Sequence, residues 1–201
     1  MRARTAMIVI SLALLGSTWV AADDQADELI LAASQGDIDG LTWVLNEGAD
    51  PNAIGKQGTI ALVEAVRNRW YPAVDRLLDA GADPDIRDQY NNPVILMAAR
   101  RGDLDVVQAL IAAGAFLEGR DTDGVEFVSN QAGVTALWVA ARWGMTDVVR
   151  VLLDAGADPK VQDYDGIPAW AAARSNGYVE IYDMLDAAGA TQVDDGDDGP
   201  L

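Results

Sequence analysis

Two kinds of apolar block alternate along the chain. "VVQALI" (Val106 to Ile111) and "VVRVLL" (Val148 to Leu153) carry apolar residues at helical spacing and run toward Gly114 and Gly156. That pattern predicts a helix with one buried face, closed by a left-handed glycine cap. Just upstream, "VILMAARRG" and "ALWVAARWG" predict a second, shorter helix. The blocks recur on a fixed step. "EGADPNA", "AGADPDI", "AGAFLEG", "AGADPKV" and "AGATQV" are one phrase five times, with glycines at 48, 81, 114, 156 and 189, so the steps are 33, 33, 42 and 33. Twelve residues before each glycine stands a second recurring position, filled by Gly36, Arg69, Gly102, Gly144 and Gly177. A fixed step of this length means stacked repeats that share a core.

Residues 135–163, "TALWVAARWGMTDVVRVLLDAGADPKVQD", resemble the ankyrin repeat, whose pattern is D-x-x-G-x-T-P-L-H-x-A-A, a loop, a V-V-x-L-L helix and G-A-D-x-N. The resemblance covers Ala26 to about Ala190 in five units. It implies an all-α solenoid of five stacked helix-turn-helix units joined by β-turns or hairpins. The end units fit such a stack, because an outer face without a neighbour must be polar. Unit one opens on "DDQADE", acids suited to the positive end of a helix, and unit five places Asp186 where its predecessors have Leu78, Ile111 and Leu153. Leu29 to Gly48 and Ile167 to Gly189 are therefore expected to be caps. The family histidine is replaced by Val63, Leu96, Trp138 and Ala171, which implies that its hydrogen bonds between units are missing. Trp43, Trp138 and Trp170 fall in slots that pack inward.

The long step of 42 comes from "VEFVSNQAG", residues 125–133, placed between Gly124 and the next helix. It lengthens a projecting hairpin between units three and four. Val125, Phe127 and Val128 make it a candidate partner contact, since exposed apolar side chains mark interaction surface. The alternative is a tolerated surface insertion, which costs little. "DTDG" beside it resembles the start of an EF-hand loop, but Gly119 and Asn130 stand where the first Asp and the final Glu are needed. Asp121 and Gly124 are read instead as the turn of the repeat.

Composition narrows the chemistry. The chain of 201 residues is half hydrophobic, enough for one domain with a sizeable core, and it contains no cysteine and no histidine. Disulfides, thiolate or imidazole metal sites and Cys or Ser/His nucleophiles are excluded. A carboxylate or Ser/Lys enzyme has poor candidates, because Ser129 lies in the insertion and Lys56 and Lys160 are the only lysines. No cofactor or metal is expected. With 14 basic against 32 acidic residues the net charge is −18, a field that repels nucleic acid.

Residues 1–22 have the layout of a secretory signal peptide: Arg2 and Arg4, a short apolar run, then Val20 and Ala22 before acids. Cleavage is expected after Ala22. The competing reading is an uncleaved anchor, although the apolar run is shorter than the ~20 residues a spanning helix needs. An exported chain without disulfides fits a bacterial periplasm. The domain then occupies 23–190, and the acidic, Gly-rich residues 191–201 are expected to be a disordered tail.

Reading one position down the stack aligns Ser34, Arg67, Arg100, Arg142 and Ser175, and beside them Gln35, Asn68, Arg101, Trp143 and Asn176. With stacked helices about 8 to 10 Å apart, Arg67 to Arg142 would span roughly 20 Å. Trp70 and Tyr71 crowd the loop of unit two. Arg, Trp and Tyr dominate binding hot spots. The alternative is that these arginines pair with acids such as Asp103, Asp105 and Asp147. The resemblance implies a protein-binding module, a monomer when free, that meets a protein partner and, once its signal is removed, no membrane. Similarity to exported bacterial ankyrin-repeat proteins implies two jobs: immunity-like neutralisation of a toxic enzyme, or support of a resident enzyme against oxidants. A ligand or calcium carrier is the remaining class.

Overall fold

The computed structural model describes residues 22–121 and 133–191. Among them the apolar blocks form five helix pairs: α1 (Ala22–Gln35) with α2 (Ile38–Asn46), α3 (Ala61–Arg67) with α4 (Tyr71–Asp79), α5 (Val94–Arg101) with α6 (Leu104–Ala112), α7 (Ala136–Trp143) with α8 (Thr146–Asp154), and α9 (Ala169–Ser175) with α10 (Val179–Ala187). In the middle repeats the first helix of a pair is short and buried on nearly every side, as at Val94 to Ala99 and Ala136 to Ala141. The second helix buries one stripe, Val106, Val107 and Leu110 in α6 and Val148, Val149 and Leu152 in α8. Each such residue leaves water at a gain of about 1.5–3 kcal/mol. Among the described residues no helix is long and apolar enough to cross a membrane.

The chain divides into two compact bodies, 1–82 and 83–201. In the first, α1 packs on α3 and α2 on α4. In the second, α5, α7 and α9 pack in a row, and α6, α8 and α10 form the row beside it. Neighbouring repeats are keyed by a large residue just after the inter-helix position. Trp70 lies over Gly36, Met145 over Gly102 and Tyr178 over Gly144, where an added Cβ would meet the neighbour at 2.4 to 2.6 Å. A side chain at these glycines would push the repeats apart. The same position must turn the chain with positive φ, which Gly102 does at 70° and Arg69 at 62°. Arg69 therefore holds a backbone conformation that costs an L-residue about 1–2 kcal/mol.

The tryptophans divide by slot. Trp138 is fully buried, at 1% exposure, whereas Trp43, expected inside, is 39% exposed on α2. Trp170, in the last repeat, is half-buried and meets Tyr182 edge-on at 6.2 Å. The inward slot of a terminal repeat lacks a neighbour on one side, so the large ring reaches solvent. Asp186, on α10, is exposed, while Leu78, Ile111 and Leu153 are half-buried, as a polar end requires.

Turns between repeats are closed by paired bridges, Ile54 with Ile60, Arg87 with Pro93 and Gln162 with Pro168. An aspartate locks each of the later turns: Asp88 Oδ1 accepts from the Asn92 amide and Asp163 Oδ1 from the Ile167 amide, both at 2.8 Å and four residues apart. In repeat four Asp121 Oδ1 accepts from the Val134 amide at 2.8 Å, thirteen residues on. Gly133, with φ 79°, thus stands where Gly166 stands with φ 77°. This corrects the expected register, because Gly133 rather than Gly124 closes the turn. The extra residues lie between Asp121 and Gly133 rather than running through Gly133.

Candidate partner-binding surface

In the second body the row α5, α7, α9 brings equivalent positions side by side: Arg100, Arg142 and Ser175, then Arg101, Trp143 and Asn176. The arginines occupy the last turns of α5 and α7, where the negative end of the helix dipole favours cations. Arg100 is half-buried. Burial lowers its pKa, the adjacent Arg101 lowers it further, and Asp88 opposes both. Arg142 lies over the face of Trp138, 5.8 Å from the ring centroid. Trp143 is 44% exposed. Of the acids considered as partners, Asp147 turns instead to Arg150 at 2.7 Å. Arg150 also reaches Glu180 at 3.2 Å.

The candidates in the first body are engaged locally. Arg67 pairs with Glu64 one turn back at 2.7 Å. Trp70, besides covering Gly36, donates from Nε1 to the Ser34 carbonyl at 3.0 Å. The Tyr71 hydroxyl accepts from Arg69 Nε at 3.2 Å. Trp70 thus joins repeat one to repeat two, while the bond from Arg69 to Tyr71 shapes the α3–α4 loop. Arg67 and Arg142 belong to different bodies.

Val125, Phe127 and Val128 lie outside the described residues. The base that carries their segment is described. Arg87 Nη1 donates to the Asn91 carbonyl at 2.7 Å and to the Arg120 carbonyl of the next turn at 2.8 Å. Arg120 repeats the device, donating to the Gly133 carbonyl and to the Gln162 carbonyl at 2.6 Å. The ring of Tyr164 covers Gly133. Guanidinium bonds thus tie the inserted segment's turn to the turns on either side of it. Among the described residues no group of three or more Asp or Glu is placed to hold a metal ion.

The family model described as ankyrin repeats (three copies) matches residues 29–121 and 62–163. The chain belongs to the ankyrin-repeat family. It is similar to the ankyrin repeat protein YahD of Escherichia coli (strain K12), 34% identical over 43% of this chain and 43% of that one. It is also similar to zygote-specific protein 3 of Chlamydomonas reinhardtii, 30% identical over 66% of this chain and 36% of that protein. A third relative, the glycerophosphocholine phosphodiesterase gde1 of Schizosaccharomyces pombe (strain 972 / ATCC 24843), is 32% identical over 48% of this chain but only 9% of its own length. The chain spans less than half the length of these curated relatives. Ankyrin repeats mark it as a protein–protein interaction module.

Set against the ankyrin pattern, the structure shows two things that the sequence reading missed. Trp138, in the histidine slot, donates from Nε1 to the Ile167 carbonyl of the following repeat at 2.8 Å. The bond between repeats that the loss of histidine was expected to remove is therefore present here, supplied by an indole. Phe116 is the second. Asp50, Asp83 and Asp158 each accept an amide hydrogen bond two residues on at 2.9 Å, but Phe116 takes that slot in repeat three and is 61% exposed. The departure from "AGAD" to "AGAF" was the signal for it.

Proposed function

We propose that this ankyrin-repeat protein is an exported, non-catalytic module that acts in the bacterial periplasm by binding a partner protein and inhibiting or protecting it, in the manner of an immunity protein. The carrying observation is the surface where α5 and α7 end, which joins Arg100, Arg101, Arg142 and an exposed Trp143 in a fold of interaction modules. Those residue types dominate binding energy, and a rigid stack loses little entropy when it binds. Residues 1–22 support export through their basic start, short apolar run and small residues before Asp23. A chain without histidine or cysteine supports the non-catalytic reading.

The test is a pull-down from periplasmic extract with residues 23–201 as bait, beside a bait lacking residues 125–133, followed by assay of whatever is captured. A captured enzyme whose activity falls as the bait is added supports inhibition. One whose activity survives oxidant only with the bait supports the accessory role. Cell fractionation with N-terminal sequencing should find the protein in the periplasm beginning at Asp23, and an intact chain in the cytoplasm would overturn export.

A further inference from the structure

Arg142 is held in an unusual way for a cation in a chain with 32 acids. Among the described residues it forms no ion pair and no hydrogen bond, and its one polar contact is the face of Trp138. That ring is itself fixed, because Trp138 Nε1 is bonded to the Ile167 carbonyl and the side chain is fully buried. The guanidinium therefore rests on a rigid platform, and less rotamer freedom is lost when its donors find a partner. Trp143 follows directly, exposed, with no hydrogen bond from its indole among the described residues. Arg100 and Arg101 stand on the neighbouring helix end. Burial first, and the adjacent Arg101 second, disfavour the charged form of Arg100, and an anion placed here would act against the second of these.

From this geometry we infer that the ends of α5 and α7 receive an acidic segment of the partner protein, with an Asp or Glu carboxylate paired to Arg142 and an adjoining apolar side chain laid on Trp143. The planar fork of an arginine matches a carboxylate through two parallel bonds, and the indole beside it asks for apolar surface rather than a second charge. A polyanion such as nucleic acid would meet the repulsion of the −18 net charge, whereas one or two carboxylates meet only the local field. The inference rests on the reading of the protein as a protein-binding module and names the chemistry of its partner.

The experiment selects a random peptide library displayed on phage against the full chain. The expected consensus holds Asp or Glu next to an apolar residue. Binding of a synthetic selected peptide should weaken at least about ten-fold with Arg142→Ala, less with Arg142→Lys, and comparably when the peptide acid is changed to its amide. Trp143→Ala should weaken it too, with circular dichroism confirming that each variant is folded. No enrichment, a consensus without acids, or equal affinity for Arg142→Ala would overturn the inference. If a periplasmic partner is nonetheless captured equally by the wild type and by Arg142→Ala, the protein-binding reading stands and this one falls.

Discussion

The indole nitrogen of Trp138 and the carbonyl of Ile167 lie 2.8 Å apart, joining repeat four to repeat five across 29 residues of sequence. A large aromatic thus performs in this chain the bridging expected of a small polar ring, and it adds burial on top. Trp138→Phe keeps most of the packing and removes the donor. It should lower the stability of the fold by about 0.5–1.5 kcal/mol, read as an earlier midpoint in urea. Trp138→Ala should cost about 3–5 kcal/mol through the cavity it leaves. Equal stability of the wild type and Trp138→Phe would show that the bond carries no net energy.

Gly144 meets two demands at once, a φ of 75° and the ring of Tyr178 at 2.6 Å from any added Cβ. Gly144→Ala should destabilise by about 1–3 kcal/mol, part of it backbone strain and part displacement of the ring. Removing the ring separates the two. In a Tyr178→Ala background the same glycine substitution should cost less, and a thermodynamic cycle over the four proteins measures the difference.

The first helix is tied to the first turn by Lys56, whose Nζ reaches Asp24 at 2.7 Å and Asp27 at 3.1 Å, while its amide donates to Asp27 at 3.0 Å. The backbone and side-chain bonds from Lys56 hold the Asp27 pKa below its ordinary 3.8. Bonds from Asp24, then Asp27, raise Lys56 from 10.5 to about 12. The depressed carboxylate adds stability that is present above 3.8 and is lost as pH falls through its lower folded value. The raised ammonium adds stability that is present below 10.5 and is lost as pH climbs through about 12. Thermal unfolding of the wild type and Lys56→Met should therefore differ across the middle of the pH range and converge at both extremes. All these groups are exposed, so the difference should shrink in high salt.

Arg120 bonds the Gly133 and Gln162 carbonyls and so anchors the far side of the insertion. Arg120→Ala should cost about 1.5–3 kcal/mol locally, as for hydrogen bonds from a charged donor. Hydrogen exchange at the amides of Val134 and Ile167, which close the two turns onto Asp121 and Asp163, should speed up while the amides of α6 stay protected. Unchanged exchange would mean that the aspartate locks hold the turns alone.

Much of the architecture was written in the chain. The glycines at 48, 81, 114, 156 and 189 and the apolar blocks between them determined the ten paired helices of the described residues, because helix periodicity and the closing turns are local properties repeated five times. The candidate arginines were likewise placed by register alone at the ends of α5 and α7. Only the tertiary structure decided what each side chain meets there. That Trp138 reaches Ile167 and carries Arg142, that Asp147 goes to Arg150, that Trp43 is exposed, and that Gly133 closes the long turn all depend on partners brought near by stacking or by the closing of a loop. A repeating pattern states which residues share a slot. It does not state how a larger or differently shaped side chain in that slot finds its hydrogen bond, since that is settled by distances between repeats.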